Sequence, residues 1–283
     1  MEEQRKVILA SHMGFCRGVK GALARFDACR KKLPPGEPLY VLHELVHNSE
    51  VTRQMAARGA RFIDDPRQLP QGAAVLVGAH GATAAEETAV AARTSRCMDA
   101  TCPVIRSLRA AIENMTEHDT LVCFGDGRHQ ELRGLASRAR VPYIIEVSGL
   151  DTLDSALEAR NPALLCQTSL FYREADAAIR RFTRRHPGAP CLGGTCGASR
   201  ARQKAAEKLA AECDAVVVVG SPHSANASQL CAIVRNCGRL AALVETPTAI
   251  PPEILSCRRI GLTAGASTPP EQIRRIAEAL QGQ

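Results

Sequence analysis

Three cysteines carry the most specific chemical signal in the chain. Cys16, Cys102 and Cys196 each stand just before a stretch with helical spacing, RGVKGALARFDACRKK, PVIRSLRAAIENM and GASRARQKAAEKLAAEC, and successive cysteines are separated by roughly a third of the chain. A thiolate beside a helix N-terminus is stabilised by unpaired N–H groups and by the positive end of the helix dipole, which makes it a better metal ligand. Three such thiolates brought to one point would hold a four-iron cluster and leave one iron without a protein ligand, open to act as a Lewis acid on a substrate oxygen. The plain alternative is three buried cysteines at helix starts. The pairs Cys97/Cys102 and Cys191/Cys196 are only C-x4-C, and no compact multi-cysteine motif is present.

HELVH (43–47) matches the H-E-x-x-H pattern of zinc proteases, which needs both His on one helical face. Its surroundings oppose that reading: PLYVLH (38–43) has the pattern of a strand, Asn48-Ser49 reads as a helix cap, and Glu50 occupies the glycine position of the extended motif. His47 is then a candidate donor to an anion at a strand end, or a structural histidine. His80 and His129 each close a strand–loop segment where an imidazole could face an anionic ligand, although a lone loop histidine is ordinarily structural. Glu131, two residues after His129, becomes a proton donor if a pocket raises its pKa, and otherwise is a surface carboxylate. SPHSANAS (221–228) and TAGASTPPE (263–271) put small hydroxyl and amide side chains at helix starts behind apolar strands, a combination that can wrap phosphate oxygens. In the second of these, Thr268-Pro-Pro-Glu271 reads as a capping Thr, a Pro at the first helical position and a Glu at the third.

The elements that must position these residues form a repeat. AAVLVGAHGA (73–82), TLVCFGDGRH (120–129) and AVVVVGSPHS (215–224) each run from an apolar stretch through a Gly-containing turn to a His. They read as equivalent buried parallel strands, whose ligands gather at the carboxyl ends. With one cysteine per third, the pattern predicts an α/β protein of three units, 16–101, 102–195 and 196–283, with segment 1–15 joining the third. Composition agrees with a folded enzyme-sized chain. The 283 residues are 45% hydrophobic and 23% charged, so cores are affordable and disorder is excluded as the dominant state. No stretch approaches the roughly 18 apolar residues of a membrane helix, and MEEQRKVILASHMG opens without a signal-peptide pattern. The expectation is a soluble, cytoplasmic protein with no membrane partner, in which twelve cysteines are thiols rather than a disulfide framework. Net charge is +7, yet with no Trp, three Tyr and six Phe the chain lacks aromatics for stacking on bases, so nucleic acid is not the expected partner.

With these residues assembled, the chain resembles the 4-hydroxy-3-methylbut-2-enyl diphosphate reductase family (IspH/LytB). The resemblance rests on GFCRGV (14–19), HELVHN (43–48), AHG (79–81), DATCP (99–103), His129-x-Glu131, QTSL (167–170), Thr195-Cys196, Arg202-Gln203, Ser224-x-Asn226 and TAGAS (263–267), in family order along nearly the whole chain. It implies a trefoil of three α/β units with small parallel sheets around one 4Fe-4S cluster held by Cys16, Cys102 and Cys196, with one open iron. It further implies that His47, His80, His129, Ser224, Asn226 and Ser267 bind an allylic diphosphate, that Thr168 also touches substrate, and that Glu131 with Thr168 handles the proton and hydroxyl. Ferredoxin or flavodoxin is the implied electron donor, and an acidic carrier would complement the net charge of +7.

The chain departs from the family pattern beside these residues. The usual Tyr-Ala-Thr-x-Asn-Arg-Gln after the third cysteine is Gly197-Ala198-Ser199-Arg200-Ala201-Arg202-Gln203, the usual Gly-His-x-Gly-His-Pro-Glu-Val-Glu-Gly is Gly125-Asp126-Gly127-Arg128-His129-Gln130-Glu131-Leu132-Arg133-Gly134, and a Ser-Ser-Asn motif is Ser224-Ala225-Asn226. Neighbours of ligating residues orient them and tune clusters. The expected chemistry is therefore reduction of an allylic diphosphate; the alternatives are a paralogue acting on a different allylic diphosphate and a non-catalytic iron–sulfur sensor.

Overall fold

The computed structural model describes residues 5–116, 119–147 and 149–282. β1 (Lys6–Leu9) precedes α1 (Arg17–Lys32). There follow β2 (Leu39–Leu42), α2 (Ser49–Ala57), β3 (Ala60–Ile63), β4 (Ala74–Val77), α3 (Ala84–Ala91), β5 (Cys97–Asp99) and α4 (Pro103–Glu113). The next run is β6 (Thr120–Phe124), α5 (Gln130–Ala136), β7 (Tyr143–Val147), α6 (Leu150–Ala156), β8 (Pro162–Cys166), α7 (Tyr172–Arg185), β9 (Cys191–Gly193) and α8 (Gly197–Glu212). The last is β10 (Ala215–Val219), α9 (Ala225–Asn236), β11 (Leu240–Val244), α10 (Pro252–Leu255), β12 (Arg259–Ala264) and α11 (Pro270–Gln281).

The strands form three four-stranded sheets in the orders β3-β2-β4-β5, β7-β6-β8-β9 and β11-β10-β12-β1. Every pairing is parallel. The order is thus the same three times, and the N-terminal strand supplies the fourth member of the last sheet by pairing with β12. This topology corrects one sequence expectation. β4 corresponds to β8 and β12, not to β6 and β10, whose counterpart is β2. The apolar runs could not reveal this, because both inner strands of each sheet are covered on both faces and carry the same kind of residue.

The chain divides into two compact units, one of residues 1–17, 47–51 and 197–283 and one of residues 18–46 and 52–196. In the first, β10 is buried throughout, and its side chains alternate between two cores. Val216 and Val218 pack with Leu209, Leu230 and Val234, while Val217 and Val219 pack with Ile254, Ile260, Ile276 and Leu280. A strand reads as an unbroken Val run for that reason, each Val contributing about 1.5–3 kcal/mol by burial. In the second unit, Phe182 and Leu153 cover one face of the β6–β8 pair, and Leu132, Leu135 and Ile112 cover the other. Leu42, Val75 and Val77 form the core of the remaining sheet.

Candidate functional site

Equal sheet order brings equal positions after each strand into register, and the candidate residues fall on them. Five residues beyond the last residue of β2, β6 and β10 stand His47, His129 and Ser224. Three beyond β4, β8 and β12 stand His80, Ser169 and Ser267. The cysteines obey the same rule through their backbones. Cys102 N–H donates to Ala79 O at 2.9 Å, Cys196 N–H to Thr168 O at 3.0 Å, and Cys16 N–H to Ala266 O at 3.0 Å. All three acceptors are the second residue past β4, β8 or β12. Each cysteine is therefore fixed to the loop leaving an inner strand, and each immediately precedes a helix: α1, α4 or α8.

The starts of those helices are unusual in charge. Of the eleven α-helices among the described residues, α1, α4, α8 and α9 have no acidic residue in the first turn, whereas the other seven have at least one. Carboxylates ordinarily favour helix N-termini. They are missing from the three helices behind the cysteines and from the one capped by Ser224, where Arg17, Arg106 and Arg200 stand in the first turns of α1, α4 and α8 instead. Positive helix ends left unneutralised suit thiolates, an anionic cluster and phosphate. The donor set thus fits an iron–sulfur cluster. Among the described residues no three His, Cys, Asp or Glu side chains crowd closely enough to share a single ion. A cluster of several irons takes ligands set further apart. Other cysteines have a different character: burial holds the thiols of Cys29, Cys166, Cys213 and Cys231 above the ordinary range and pushes Cys123 up to about 12, which suits packing rather than ligation.

In the unit of residues 18–46 and 52–196, Glu131 and Thr168 form a closed pair. Glu131 is 2% exposed, and both its oxygens are gripped by one residue: Thr168 N–H donates to Oε1 at 2.7 Å and Thr168 Oγ–H to Oε2 at 2.7 Å. Burial raises its pKa, and the two Thr168 bonds oppose that rise. Thr168 is also the residue whose carbonyl anchors Cys196. His129 caps α5, its Nδ1 accepting from Glu131 N–H at 3.2 Å, so the neutral ring carries its proton on Nε2, the form that donates to an anion. The rings of His80 and His129 lie edge to face, with centroids 5.7 Å apart. Gln130 Nε2 donates to Gly81 O at 2.7 Å and Arg138 to Ala82 O at 2.9 Å, tying α5 to the loop of His80.

That loop is also locked to HELVH. Residues 43–47 are not helical, which removes the zinc-protease reading. Ala79 N–H donates to Leu45 O at 3.0 Å, and a Cβ on Gly78 would stand 2.6 Å from Glu44 O. Only glycine allows the two loops to approach so closely. Gly78→Ala is expected to cost about 1–3 kcal/mol by overpacking. Chemical denaturation measures it, and an unchanged midpoint would show that the two loops separate freely.

The unit of residues 1–17, 47–51 and 197–283 holds the remaining candidates. Ser224 caps α9, its Oγ accepting from Ala227 N–H at 3.3 Å, which leaves the hydroxyl proton to donate. Asn226 Oδ1 accepts from Ala266 N–H at 3.0 Å and its Nδ2 donates to Ser199 Oγ at 3.3 Å, so the backbone of Ala266 is held through its N–H by Asn226 and through its carbonyl by Cys16. Ser267 Oγ–H donates to His47 O at 2.8 Å. Asn48, 1% exposed, caps α2 through Val51 N–H at 3.0 Å and donates to Gln272. Arg202, 6% exposed, donates to Ala198 O at 2.7 Å and to Gly14 O, holding the turn before Cys16. One capping expectation fails. α11 starts at Pro270 with Pro269 as its cap, and the Thr268 hydroxyl donates instead to Val219 O at 2.8 Å.

Sequence reasoning missed Ser199, Gln130 and His43 as parts of this framework. Ser199 and Gln130 lie in the segments where the chain departs from the family pattern, and His43 stands one residue past a central strand.

The fold and these loops define a three-sheet α/β protein with one helix-start cysteine anchored to an inner-strand loop of each sheet. The chain belongs to the LytB protein family, whose model matches residues 7–281. It is 33% identical over 283 residues to the 4-hydroxy-3-methylbut-2-enyl diphosphate reductase of Ralstonia nicotianae, covering 98% of this chain and 86% of that protein. The enzyme of the same name from Nocardia farcinica is 34% identical over 283 residues, covering 98% and 83%. A solved structure of the E-1-hydroxy-2-methyl-but-2-enyl-4-diphosphate reductase from Plasmodium falciparum superimposes with a TM-score of 0.88 at 26% identity, covering 97% of this chain and 87% of that one. Among the described residues no helix is long and apolar enough to cross a membrane.

Proposed function

We propose that the chain is an iron–sulfur reductase that removes the allylic hydroxyl of 4-hydroxy-3-methylbut-2-enyl diphosphate, giving isopentenyl and dimethylallyl diphosphate. Family membership and the names of the full-length relatives support this. The observation that carries it is the buried Glu131 gripped by Thr168, on the residue whose carbonyl anchors Cys196.

Reduction consumes two electrons and two protons per substrate: the C–O bond breaks, the oxygen leaves as water, and the allylic carbon skeleton takes the second proton. When bound by Cys16, Cys102 and Cys196, a 4Fe-4S cluster with one open iron supplies a Lewis acid and passes the electrons singly. The residues of the chain do the rest. His47, His80, His129, Ser224, Asn226 and Ser267 bind the diphosphate, with His129 Nε2–H and the Ser224 hydroxyl as preset donors. Burial lets Glu131 keep its proton to higher pH than an ordinary carboxyl, and Thr168 orients it toward the departing hydroxyl. Electrons come from an acidic carrier, ferredoxin or flavodoxin, matched to the net charge of +7, and the reaction takes place in the cytoplasm.

A second reading, a paralogue for another allylic diphosphate, is favoured by Ala225, which stands where the family pattern has a hydroxyl beside Ser224. Anaerobic turnover of 4-hydroxy-3-methylbut-2-enyl diphosphate, normalised to iron and sulfide bound per chain, separates the two. Formation of both five-carbon diphosphates is the expected result. A fully loaded protein that leaves this substrate untouched would transfer the reading to the paralogue.

A further inference from the structure

His43 opens the HELVH loop at a position that the other two sheets give to glycine. The first residue after β2, β6 and β10 is His43, Gly125 or Gly220, and all three have positive φ, at 59°, 148° and 159°. A φ of 59° lies in the left-handed region, which is uncommon for any residue with a side chain, although Asn, Asp and His are enriched there. What this sheet has at the position, and the other two lack, is a ring.

The ring is held at both edges. Nε2 lies 3.0 Å from Glu86 Oε1 and Nδ1 3.5 Å from Asp64 Oδ1, so acceptors face both nitrogens and the doubly protonated ring satisfies both. The Glu86 side chain is 19% exposed and that of Asp64 96%, which makes Glu86 the effective partner. Glu86 passes the constraint on. Its Oε2 accepts from Thr83 N–H at 2.7 Å and its own N–H donates to Thr83 Oγ1 at 3.2 Å, a capping box that starts α3. Thr83 ends the loop that carries His80, and Ala79 at its other end is bonded to Leu45. The loop of His80 is thereby fixed at both ends to the segment that His43 begins, once by main chain and once through Glu86 and Thr83.

We propose that His43 is a positioning residue for anion binding: acting through Glu86 and Thr83, it holds the His80 loop in the geometry that receives the diphosphate. The inference rests on the reading that His80 contacts that group. Electrostatics agree with the geometry. The hydrogen bond to Glu86 raises the pKa of His43, and for Glu86 burial is outweighed by the bonds from His43 and Thr83, which bring it to about 2. The His43 contribution to stability is whole below its unfolded value of 6.5 and is lost as pH rises through the folded value. The Glu86 contribution is whole above 4.5 and is lost as pH falls toward about 2. The strut is therefore complete between pH 4.5 and 6.5.

His43→Gly tests this, because glycine adopts the positive φ freely and so offsets part of the stability lost with the Glu86 pair. In the holoenzyme its KM is expected to rise about tenfold with kcat within about twofold, the pattern of lost positioning in binding. His43→Gln, which retains one donor, should recover part of the loss. The wild-type KM should worsen as pH rises through the His43 pKa, and this dependence should flatten in His43→Gly. Amide hydrogen exchange over 80–83 should quicken in His43→Gly and in Glu86→Gln, with the double variant no faster than either. Unchanged exchange over 80–83 in His43→Gly overturns the inference. Inorganic diphosphate binding by His80→Ala is read separately: unchanged affinity there would refute the anion role of His80, while the exchange data still judge the strut.

Discussion

Glu131→Gln is expected to lower kcat by a factor of about 10²–10⁴, the range for loss of a positioned proton donor, with the cluster still bound. The change is nearly isosteric: the glutamine oxygen can accept from Thr168 N–H, and the Thr168 hydroxyl can turn to accept from the new amide. The fold is therefore kept, and stability moves in an informative direction. Burial raises the pKa of Glu131 in the folded state, so above the ordinary value of 4.5 the folded protein holds a proton that the unfolded chain has released. Stability conferred by this group falls as pH rises from 4.5 toward the folded pKa. Glu131→Gln has no such loss, and thermal melting should show it more stable than the parent at neutral pH, the gap closing at or below 4.5. Wild-type turnover should decline as pH rises through the Glu131 pKa. Thr168→Val removes one of the bonds that lower that pKa, so it should move this decline to higher pH. Full turnover by Glu131→Gln would sink the proton-donor role.

Cys102→Ser is expected to abolish turnover by removing a ligand while sparing the fold. Serine is a preferred N-cap, and residue 102 is the N-cap of α4, so the helix start survives. A hydroxyl does not become the anionic ligand that a thiolate is. Iron and sulfide per chain should fall to a small fraction of the parent value, and activity with them. Cys237→Ser is the control, an exposed position at the C-terminal cap of α9, where no loss of iron is expected. A Cys102→Ser protein that keeps both iron and turnover would end the three-cysteine reading.

Much of the architecture was legible because it is local. Each strand of the repeat is an apolar run closed by glycine, and each cysteine helix starts where its periodicity starts, since burial on both faces and a 3.6-residue pattern leave their mark on consecutive residues. Asn48 was recognisable as a cap for the same reason. The candidate site was legible as residue types at strand ends, including His129 beside Glu131 and Ser224 beside Asn226.

What those residues do to one another was decided only by tertiary structure. Two buried strands of one sheet look alike in sequence, so pairing alone established that the loop after β2, not that after β4, corresponds to the loops of His129 and Ser224. Thr268 has the sequence of a cap, yet the Val219 carbonyl, which lies 49 residues earlier, takes its hydroxyl. Glu131 could have been a surface carboxylate; its burial and its grip by Thr168 come from a loop 37 residues away. His43 had no role beyond its place in the protease-like and HELVHN motifs until its φ and its two carboxylates were seen. The sequence by itself determined the apolar strands of the repeat, the starts of the three cysteine helices and the chemical inventory of the loops. Burial, hydrogen-bond partners and pKa depend on residues distant in the chain, and only folding brings those together.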